Sequence, residues 1–320
     1  MKPRRERSLQ TVRSGSRCAN NDAAAQGRAR FKNWLWKPAL ATLCPLIALI
    51  VCEGVLRIIG SGYPTAFFVK SRDGSAWVFN ERFRRQYYPA QTSVRGHPFR
   101  MAAAKASHSI RIFILGESAA LGTPNPSFGL ARILGFMLRQ RHPEWQFEVV
   151  NAAMRGIDSH ILRHIALECA RHQPDIAIIY AGNNEVVGFG GPSPESSLIE
   201  QDLAFIRARQ TLKRTRLAQL FEAGWMRFRE RLNEAQDMEF FRRHRLAYDD
   251  PKRLRVYRNF RANLADICDA LSAAGAQVLI STVPVNVLDC PPLASLHRSS
   301  LTSAELNQWQ RLYQQGADAE

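Results

Sequence analysis

The sequence lacks the residue patterns that indicate a metal site, a disulfide framework or a bound cofactor. Its six cysteines, at positions 18, 44, 52, 169, 268 and 290, include no CxxC pair and have no regular spacing. They therefore indicate neither a zinc site nor a set of disulfides, and scattered buried thiols are the simplest interpretation. No phosphate-binding glycine-rich loop and no cluster of metal ligands is present, so we expect no cofactor and no metal.

Acidic residues are fewer than basic ones, and long hydrophobic runs are scarce. With 46% hydrophobic and 22% charged residues, the 320-residue chain is near the globular average, which excludes collagen, wholesale disorder and a polytopic membrane protein. The net charge of +16 comes from two blocks: residues 1–37, with ten Lys and Arg against two acidic residues, and residues 207–258, with fifteen against seven. Because the remainder is neutral on balance, we expect no nucleic-acid partner.

One segment is long enough to cross a membrane. Pro38–Cys52 contains no charged residue, and the apolar segment continues to Ile59, which at about 1.5 Å per residue spans a hydrocarbon layer of roughly 30 Å. We predict one transmembrane helix within residues 34–59. Glu53 and Arg57 are four residues apart in the favourable order, so they can form an ion pair near one interface. A cleaved signal peptide and a buried core helix remain as alternatives.

The charges that flank this segment predict its orientation. All ten basic residues of the N-terminal block precede the segment, so the positive-inside rule places residues 1–37 in the cytoplasm and residues 61–320 outside it. Residues 1–33 have no apolar periodicity and are expected to be a disordered basic tail. A linker and N-terminal extension are expected over residues 60–109.

Residues 110–320 alternate between short apolar runs and helical patterns. Such alternation predicts an α/β fold with a mostly parallel sheet and helices on both faces. The predicted strands are Arg111–Leu115, Phe147–Val150, Ile176–Tyr180 and Val278–Val283, and the predicted helices are Phe128–Arg141, Ile157–Arg171 and Arg255–Ala274. A basic stretch at residues 197–250 interrupts the pattern and indicates an insertion of one or two amphipathic helices. Their cationic face is either solvated or close to anionic headgroups.

Polar clusters follow the first three predicted strands. They are Gly116-Glu117-Ser118, Asn151 to Gly156, and Gly182-Asn183-Asn184-Glu185. In open parallel sheets, ligands bind beyond the carboxyl ends of the strands. The sequence therefore predicts a functional site at this edge of the sheet.

Three residues of these clusters have the chemistry of acyl transfer. Ser118 can act as a nucleophile, the backbone N–H of Gly156 is accessible, and the Asn184 side chain can donate to a developing oxyanion. Each also has a structural alternative. Ser118 can be a helix N-cap, Gly156 can serve only to adopt a positive φ, and Asn184 can serve only to satisfy turn backbone.

The motifs RIFILGESAALG, VVNAAMRGIDSH, PDIAIIYAGNNEVVG and ISTVPVNVLDCPPLASLH resemble those of the SGNH (GDSL-like) hydrolases. They are most similar to a bacterial subgroup that has one N-terminal membrane helix and tetratricopeptide repeats inserted late in the domain. The resemblance implies a three-layer, flavodoxin-like domain in which Ser118 is the nucleophile. Gly156 and Asn184, with the Ser118 N–H, would form the oxyanion hole. It also implies attachment to the bacterial inner membrane, with the main domain in the periplasm.

Two departures from the family pattern stand out. Glu117 occupies the position where the wider family has Asp, and the late Asp and His block that supplies the catalytic base is not found. Asp158-Ser159-His160 belongs to the second motif, and Asp289 and His297 belong to the loop after the fourth predicted strand. We therefore expect a chain that is incomplete at its C-terminus, with Leu301–Glu320 forming a helix and a turn.

Two functions are compatible with these observations. The first is a membrane-anchored, exported serine esterase or acyl hydrolase that acts on an acyl ester, for example that of an O-acetylated glycan. The second is a truncated or degenerate domain of the same type that serves as a non-catalytic binding or scaffold module. A protein partner is compatible with either function.

Overall fold

The computed structural model describes residues 37, 40–88, 96–186, 199–200, 202–229, 246–247, 249–286, 296–298 and 300–319. The chain divides into two compact units, Met1–Gly62 and Tyr63–Glu320. The tail expected at residues 1–33, and Asp289, lie outside the described residues.

The first unit contains one long apolar helix, α1 (Leu40–Ile58). Its 19 residues make it long and apolar enough to cross a membrane. None of its most apolar stretch is buried, which argues against the alternative of a core helix. The Arg57 Nε donates a hydrogen bond to Glu53 Oε1 at 2.7 Å, so the predicted ion pair is confirmed.

The second unit is built on a four-stranded parallel sheet, as the sequence predicts. Its strands are β4 (Ser109–Gly116), β5 (Gln146–Asn151), β6 (Ile176–Tyr180) and β7 (Gln277–Ile280). Their order across the sheet is β5-β4-β6-β7, and every pair is parallel. This is the strand order of flavodoxin-like folds for the first four strands.

Helices cover both faces of this sheet and give the predicted three layers. They are α2 (Ser118–Leu121) and α3 (Leu130–Arg141) on one face, and α4 (Ser159–Cys169) and α7 (Lys252–Ala273) on the other. Successive residues of β4 point to opposite faces, so Ile112 and Ile114 pack against α2 and α3, whereas Phe113 and Leu115 pack against α4 and α7. A strand buried on both faces is expected to be apolar, which explains the continuous apolar run from Ile112 to Leu115.

The last strand is shorter than predicted. The sequence pattern extends from Val278 to Val283, but β7 ends at Ile280. Its partner β6 ends at Tyr180, and the last inter-strand hydrogen bond runs from Ser281 N to Ile179 O at 2.8 Å. Because a strand needs a neighbour for its ladder, the apolar residues beyond this point leave the sheet.

Part of the segment expected as a linker and extension folds into a small antiparallel sheet. Its strands are β1 (Phe68–Lys70), β2 (Ala76–Phe79) and β3 (Arg100–Ala102), in that order. The neighbouring Phe67 is 1% exposed and makes an edge contact with Phe83 at 5.1 Å between ring centroids. Phe68 contacts Phe113 of β4 at 6.0 Å. Aromatic packing therefore makes these residues part of the main core.

In the described part of the basic stretch at residues 197–250 there are two helices, α5 (Leu203–Lys213) and α6 (Arg216–Arg229). The helical character predicted for this stretch is therefore present at residues 203–229, and the rest of the stretch lies largely outside the described residues. Helix α5 is anchored rather than fully solvated, because Ile206 is buried and Arg207 forms an ion pair with Asp266 of α7 at 2.9 Å. A final amphipathic helix, α8 (Ser303–Ala317), begins with a capping box between Thr302 and Glu305.

Arg111 is a fully buried charge that joins several elements. Its side chain is 1% exposed, and its Nε pairs with Glu148 Oε2 of β5 at 2.7 Å. The two remaining nitrogens donate to the carbonyls of His172 and Ala102, at 2.7 and 3.0 Å. Because all three nitrogens have acceptors, the guanidinium tolerates burial, and it links the small sheet to the parallel one.

Removing this side chain should destabilise the second unit strongly. We expect Arg111→Leu to lower the free energy of unfolding by about 3 kcal/mol, because Glu148 and two carbonyls lose their donors. Arg141→Leu, on the exposed end of α3, is the matched control and should change it by less than about 0.5 kcal/mol. Urea unfolding of both variants measures the difference, and equal effects would contradict the role given to Arg111.

Candidate functional site

Three loops meet at the carboxyl edge of the parallel sheet. They follow β4, β5 and β6, which are neighbours in the order β5-β4-β6. From β4 the chain connects first to one side of the sheet and later to the other, so a topological switch point lies between β4 and β6. The clusters that begin at Gly116 and at Gly182 flank this switch point. The structure therefore brings together the loops that the sequence predicts to meet.

The close approach of β4 and β6 explains why position 116 is a glycine. A Cβ atom at this position would lie 2.0 Å from the carbonyl oxygen of Tyr180, so no other residue lets β4 end against β6. Helix α2 begins directly afterwards with Ser118 as its first residue, and Glu117 occupies the N-cap position. The N-cap interpretation of Ser118 is therefore wrong. The Ser118 side chain is partly exposed and has no hydrogen-bond partner among the described residues.

The Glu117 carboxylate joins the loop after β4 to the loop after β6. Its Oε1 accepts the N–H of Gly182 at 3.0 Å, and its Oε2 accepts the N–H of Asn184 at 2.9 Å. The side chain is completely buried. The pKa of Glu117 is raised to about 7, mainly by burial and also by the charge of Glu185, which together outweigh the lowering effect of the donated N–H groups. Glu117 thus fixes Asn184 beside Ser118.

Asn184 and Gly156 lie next to each other. The Asn184 Nδ2 donates to the carbonyl of Ile157 at 3.0 Å, which satisfies loop backbone as the structural alternative expects. An amide nitrogen has two hydrogens, so one more remains to donate. Gly156 has φ of +67°, and its carbonyl accepts the Tyr88 hydroxyl at 2.5 Å. Among the described residues, the N–H groups of Gly156 and Ser118 have no acceptor.

Two further buried carboxyl groups surround Glu117. Asp158 Oδ1 caps α4 by accepting from His160 N at 3.0 Å, while its Oδ2 is buried without a partner. Glu185 accepts from Ser159, at 2.7 Å from the N–H and 2.8 Å from the hydroxyl. Burial raises the pKa of Asp158 well above its usual range and that of Glu185 to about 7. No Lys or Arg pairs with these carboxyls in the part of the chain that is described, so the group retains protons near neutral pH.

The histidines of the described residues serve other contacts. His160 Nδ1 accepts from Asn263 Nδ2 at 3.0 Å, and burial lowers the pKa of His160 to about 4. His164 contacts Tyr87 and Glu168, and His297 packs edge-on against Trp309. The Asp158-Ser159-His160 triplet is therefore structural. No histidine among the described residues hydrogen-bonds Ser118, so a base for this serine is not found there.

A buried polar network behind the site was not anticipated. Asn263 of α7 donates to Ser159 Oγ at 3.0 Å, and its Oδ1 accepts from Arg207 of α5 at 3.2 Å. Asn259 and Asn263 are in line with Ile267 and Leu271 at four-residue spacing, and all four are buried. Polar residues on the apolar stripe of a helix were the sequence signal for this network. In the described residues, no group of three His, Cys, Asp or Glu side chains can hold a metal ion.

Comparisons with known proteins give a distant structural likeness. No family model and no curated protein matches the sequence. Among solved structures, the chain is similar to AlinE4, described as an SGNH-hydrolase family esterase, with 15% sequence identity and a TM-score of 0.27. The alignment covers 67% of this chain and 98% of that one. A variant of the same esterase gives 15% identity and a TM-score of 0.28. The functional argument therefore relies on the motifs and the geometry of the site.

The raised pKa of Glu117 predicts how stability changes with pH. The folded-state pKa of about 7 is above the ordinary 4.5, so stability from this carboxyl is present below about pH 4.5 and is lost as pH rises through 7. We expect the unfolding free energy of the wild type relative to Glu117→Gln to fall over this range. Urea titrations of both chains from pH 4 to 8 measure it.

Glu305→Gln is the control for this titration. The Thr302 N–H and hydroxyl lower the pKa of Glu305, so its stabilising effect is lost only as pH falls below the ordinary range. The difference in unfolding free energy between the wild type and Glu305→Gln should therefore stay constant above about pH 5. A flat difference for Glu117→Gln as well would contradict the assignment of a buried, proton-retaining Glu117.

Proposed function

We propose that this chain is a membrane-anchored SGNH-type serine esterase. Ser118 is the nucleophile, and the N–H groups of Ser118 and Gly156 with the Asn184 amide form the oxyanion hole. The main observation that supports the proposal is the pair of hydrogen bonds that Glu117 accepts from the loop of Asn184. These bonds hold that loop near Ser118, a partly exposed serine at a strand-to-helix turn. Hydrogen-bond donors without acceptors at one edge of a sheet suit a developing negative charge.

The reaction is ordinary acyl transfer. Ser118 Oγ attacks the carbonyl carbon of an ester, and the oxyanion accepts hydrogen bonds from the three donors. The alcohol then leaves, and water releases the acyl group from Ser118. A general base must take the serine proton, and the proposal assigns this role to a histidine outside the described residues. One oxyanion donor is worth roughly 3 kcal/mol of transition-state stabilisation.

The membrane placement is a further part of the proposal. Helix α1 anchors the chain, the basic residues 1–37 stay in the cytoplasm, and residues 61–320 lie on the other side, in the periplasm of a bacterium. The charge asymmetry on the two sides of α1 supports this orientation. The substrate is an acyl ester, such as an O-acetylated glycan. The likeness to the subgroup with tetratricopeptide repeats belongs to the same proposal.

The second candidate is a binding module without catalysis. The absence of a histidine that contacts Ser118, among the residues that the structure describes, favours it. In subtilisin, loss of the histidine of the serine triad lowers the rate by roughly six decades. The loops that form the site would be retained, so a ligand can still bind.

A fluorophosphonate probe separates the two candidates. We expect covalent labelling of the full chain, because an activated serine attacks the phosphorus atom. Labelling should disappear in Ser118→Ala and persist in Ser107→Ala, which changes an exposed serine in the turn before β4. In-gel detection measures both. No labelling of a chain that folds, or labelling that survives in Ser118→Ala, would be decisive against the esterase.

The oxyanion role of Asn184 makes a separate kinetic prediction. With p-nitrophenyl acetate as substrate, Asn184→Ala should lower kcat by two to three decades and leave KM nearly unchanged, because the donor acts on the transition state. Asn183→Ala changes an exposed neighbouring side chain and should keep most of the activity. If thermal stability falls in parallel with kcat in Asn184→Ala, the side chain acts through its bond to Ile157 instead.

A further inference from the structure

A concave surface lies on the α3 side of the edge strand β5. Its cavity has a volume of about 570 Å³, within the usual range of small-ligand sites. We call it the arginine groove, and its walls include His97, Phe99, Arg100, Pro126, Arg132 and Arg139. Neither of the two candidate functions assigns a role to these residues.

The groove is cationic. Arg132 and Arg139 form no ion pair with any described residue, and no Asp or Glu lines the cavity. Arg100 is partly neutralised, because its Nη2 pairs with Asp73 at 3.1 Å and also contacts Ser75. Two unpaired guanidinium groups therefore remain to attract a ligand of opposite charge.

Gly135 shapes the floor of this groove. A Cβ atom at position 135 would lie 3.3 Å from Arg139 Nη1 and 3.4 Å from Val149 Cγ2. The missing side chain therefore leaves space in which the Arg139 guanidinium lies back over its own helix. Arg132 is two helical turns before Arg139, so the two residues lie on the same face of α3. Two guanidinium groups on one face suit a ligand with at least two negative charges.

The remaining walls fit a sugar rather than a small inorganic ion. Pro98, Phe99 and Pro126 provide apolar surfaces, and Ser127 and Asn151 provide groups that bond hydroxyls. Apolar walls with a few polar groups are typical of sites for organic ligands. Asn151 Nδ2 also donates to the carbonyl of Leu121 at 3.1 Å. This bond connects one residue of the groove to the last residue of α2, the helix that begins with Ser118.

We propose that the arginine groove binds an acidic oligosaccharide, whose carboxylate groups pair with Arg132 and Arg139. This proposal narrows the glycan class given above. It applies equally to an esterase and to a binding module, since it concerns binding and not turnover.

The test measures equilibrium binding by the full chain, in a non-ionic polyoxyethylene detergent without sugar headgroups. Isothermal titration with hexagalacturonate should show saturable binding that weakens at higher ionic strength, as expected for exposed charges. Cellohexaose, a neutral chain of equal length, should bind at least about tenfold more weakly. The Arg132→Gln/Arg139→Gln double variant should raise the Kd about tenfold. Arg141→Gln, on the same helix but outside the groove, is the matched control.

Ser118→Ala separates this proposal from the esterase. Hexagalacturonate binding should be unchanged in that variant, whatever the outcome of the fluorophosphonate experiment. The proposal is overturned if hexagalacturonate does not bind, if cellohexaose binds equally well, or if Arg141→Gln weakens binding as much as the double variant does. Binding only to anionic phosphatidylglycerol vesicles, lost in the double variant, would overturn it too. Circular dichroism of each variant checks that the fold is intact.

Discussion

The candidate site depends on the buried carboxylate of Glu117. Two backbone N–H groups of the loop after β6 point into the protein, and a buried N–H without an acceptor is costly. Glu117 accepts both of them, from Gly182 and Asn184. Because Glu117 directly precedes Ser118, satisfying these donors also fixes the serine relative to the Asn184 amide. The same two hydrogen bonds therefore satisfy the buried backbone of the loop and set the geometry of the site.

The other buried polar groups extend this constraint across the helical layer. Glu185 accepts from Ser159 at the start of α4, Ser159 accepts from Asn263 of α7, and Asn263 accepts from Arg207 of α5. Arg207 also pairs with Asp266 at 2.9 Å, although its Nε is buried without a partner. Hydrogen bonds of this kind are strong in surroundings of low polarity, so the network can persist in the core. It connects helix α5 of the basic stretch to the loop that carries Asn184. Helix α5 is therefore structurally tied to the site.

The net charge of the chain does not show where the charged residues lie on its surface. Outside the two basic blocks the chain is neutral on balance, yet Arg100, Arg132 and Arg139 gather at one groove. Acidic residues that balance the count include Glu117 and Asp158, which are buried at the sheet edge. Buried acids cannot screen exposed arginines in water as neighbouring surface acids would. A neutral sum is thus compatible with a strongly cationic surface.

Much of the fold could be predicted because it follows from local patterns. The bounds of β6, Ile176–Tyr180, were predicted correctly. A strand that is buried on both faces has a continuous apolar sequence, which is easy to recognise. The end of β7 was predicted wrongly, because the length of the partner strand β6 determines where β7 ends. The aromatic residues of β1 and β2 belong to the core, but their short strands are defined by pairing with distant residues, which no local window contains.

By itself the sequence determined the parallel α/β sheet, the apolar helix α1 and the edge at which Ser118, Gly156 and Asn184 meet. Those features depend on residue order and hydrophobic period alone. Only the tertiary structure decided that Glu117 joins two loops, that Asp158-Ser159-His160 is structural, and that Arg132 and Arg139 share a groove. Each of these depends on which side chains meet across distant parts of the chain, and contact of that kind is a property of packing.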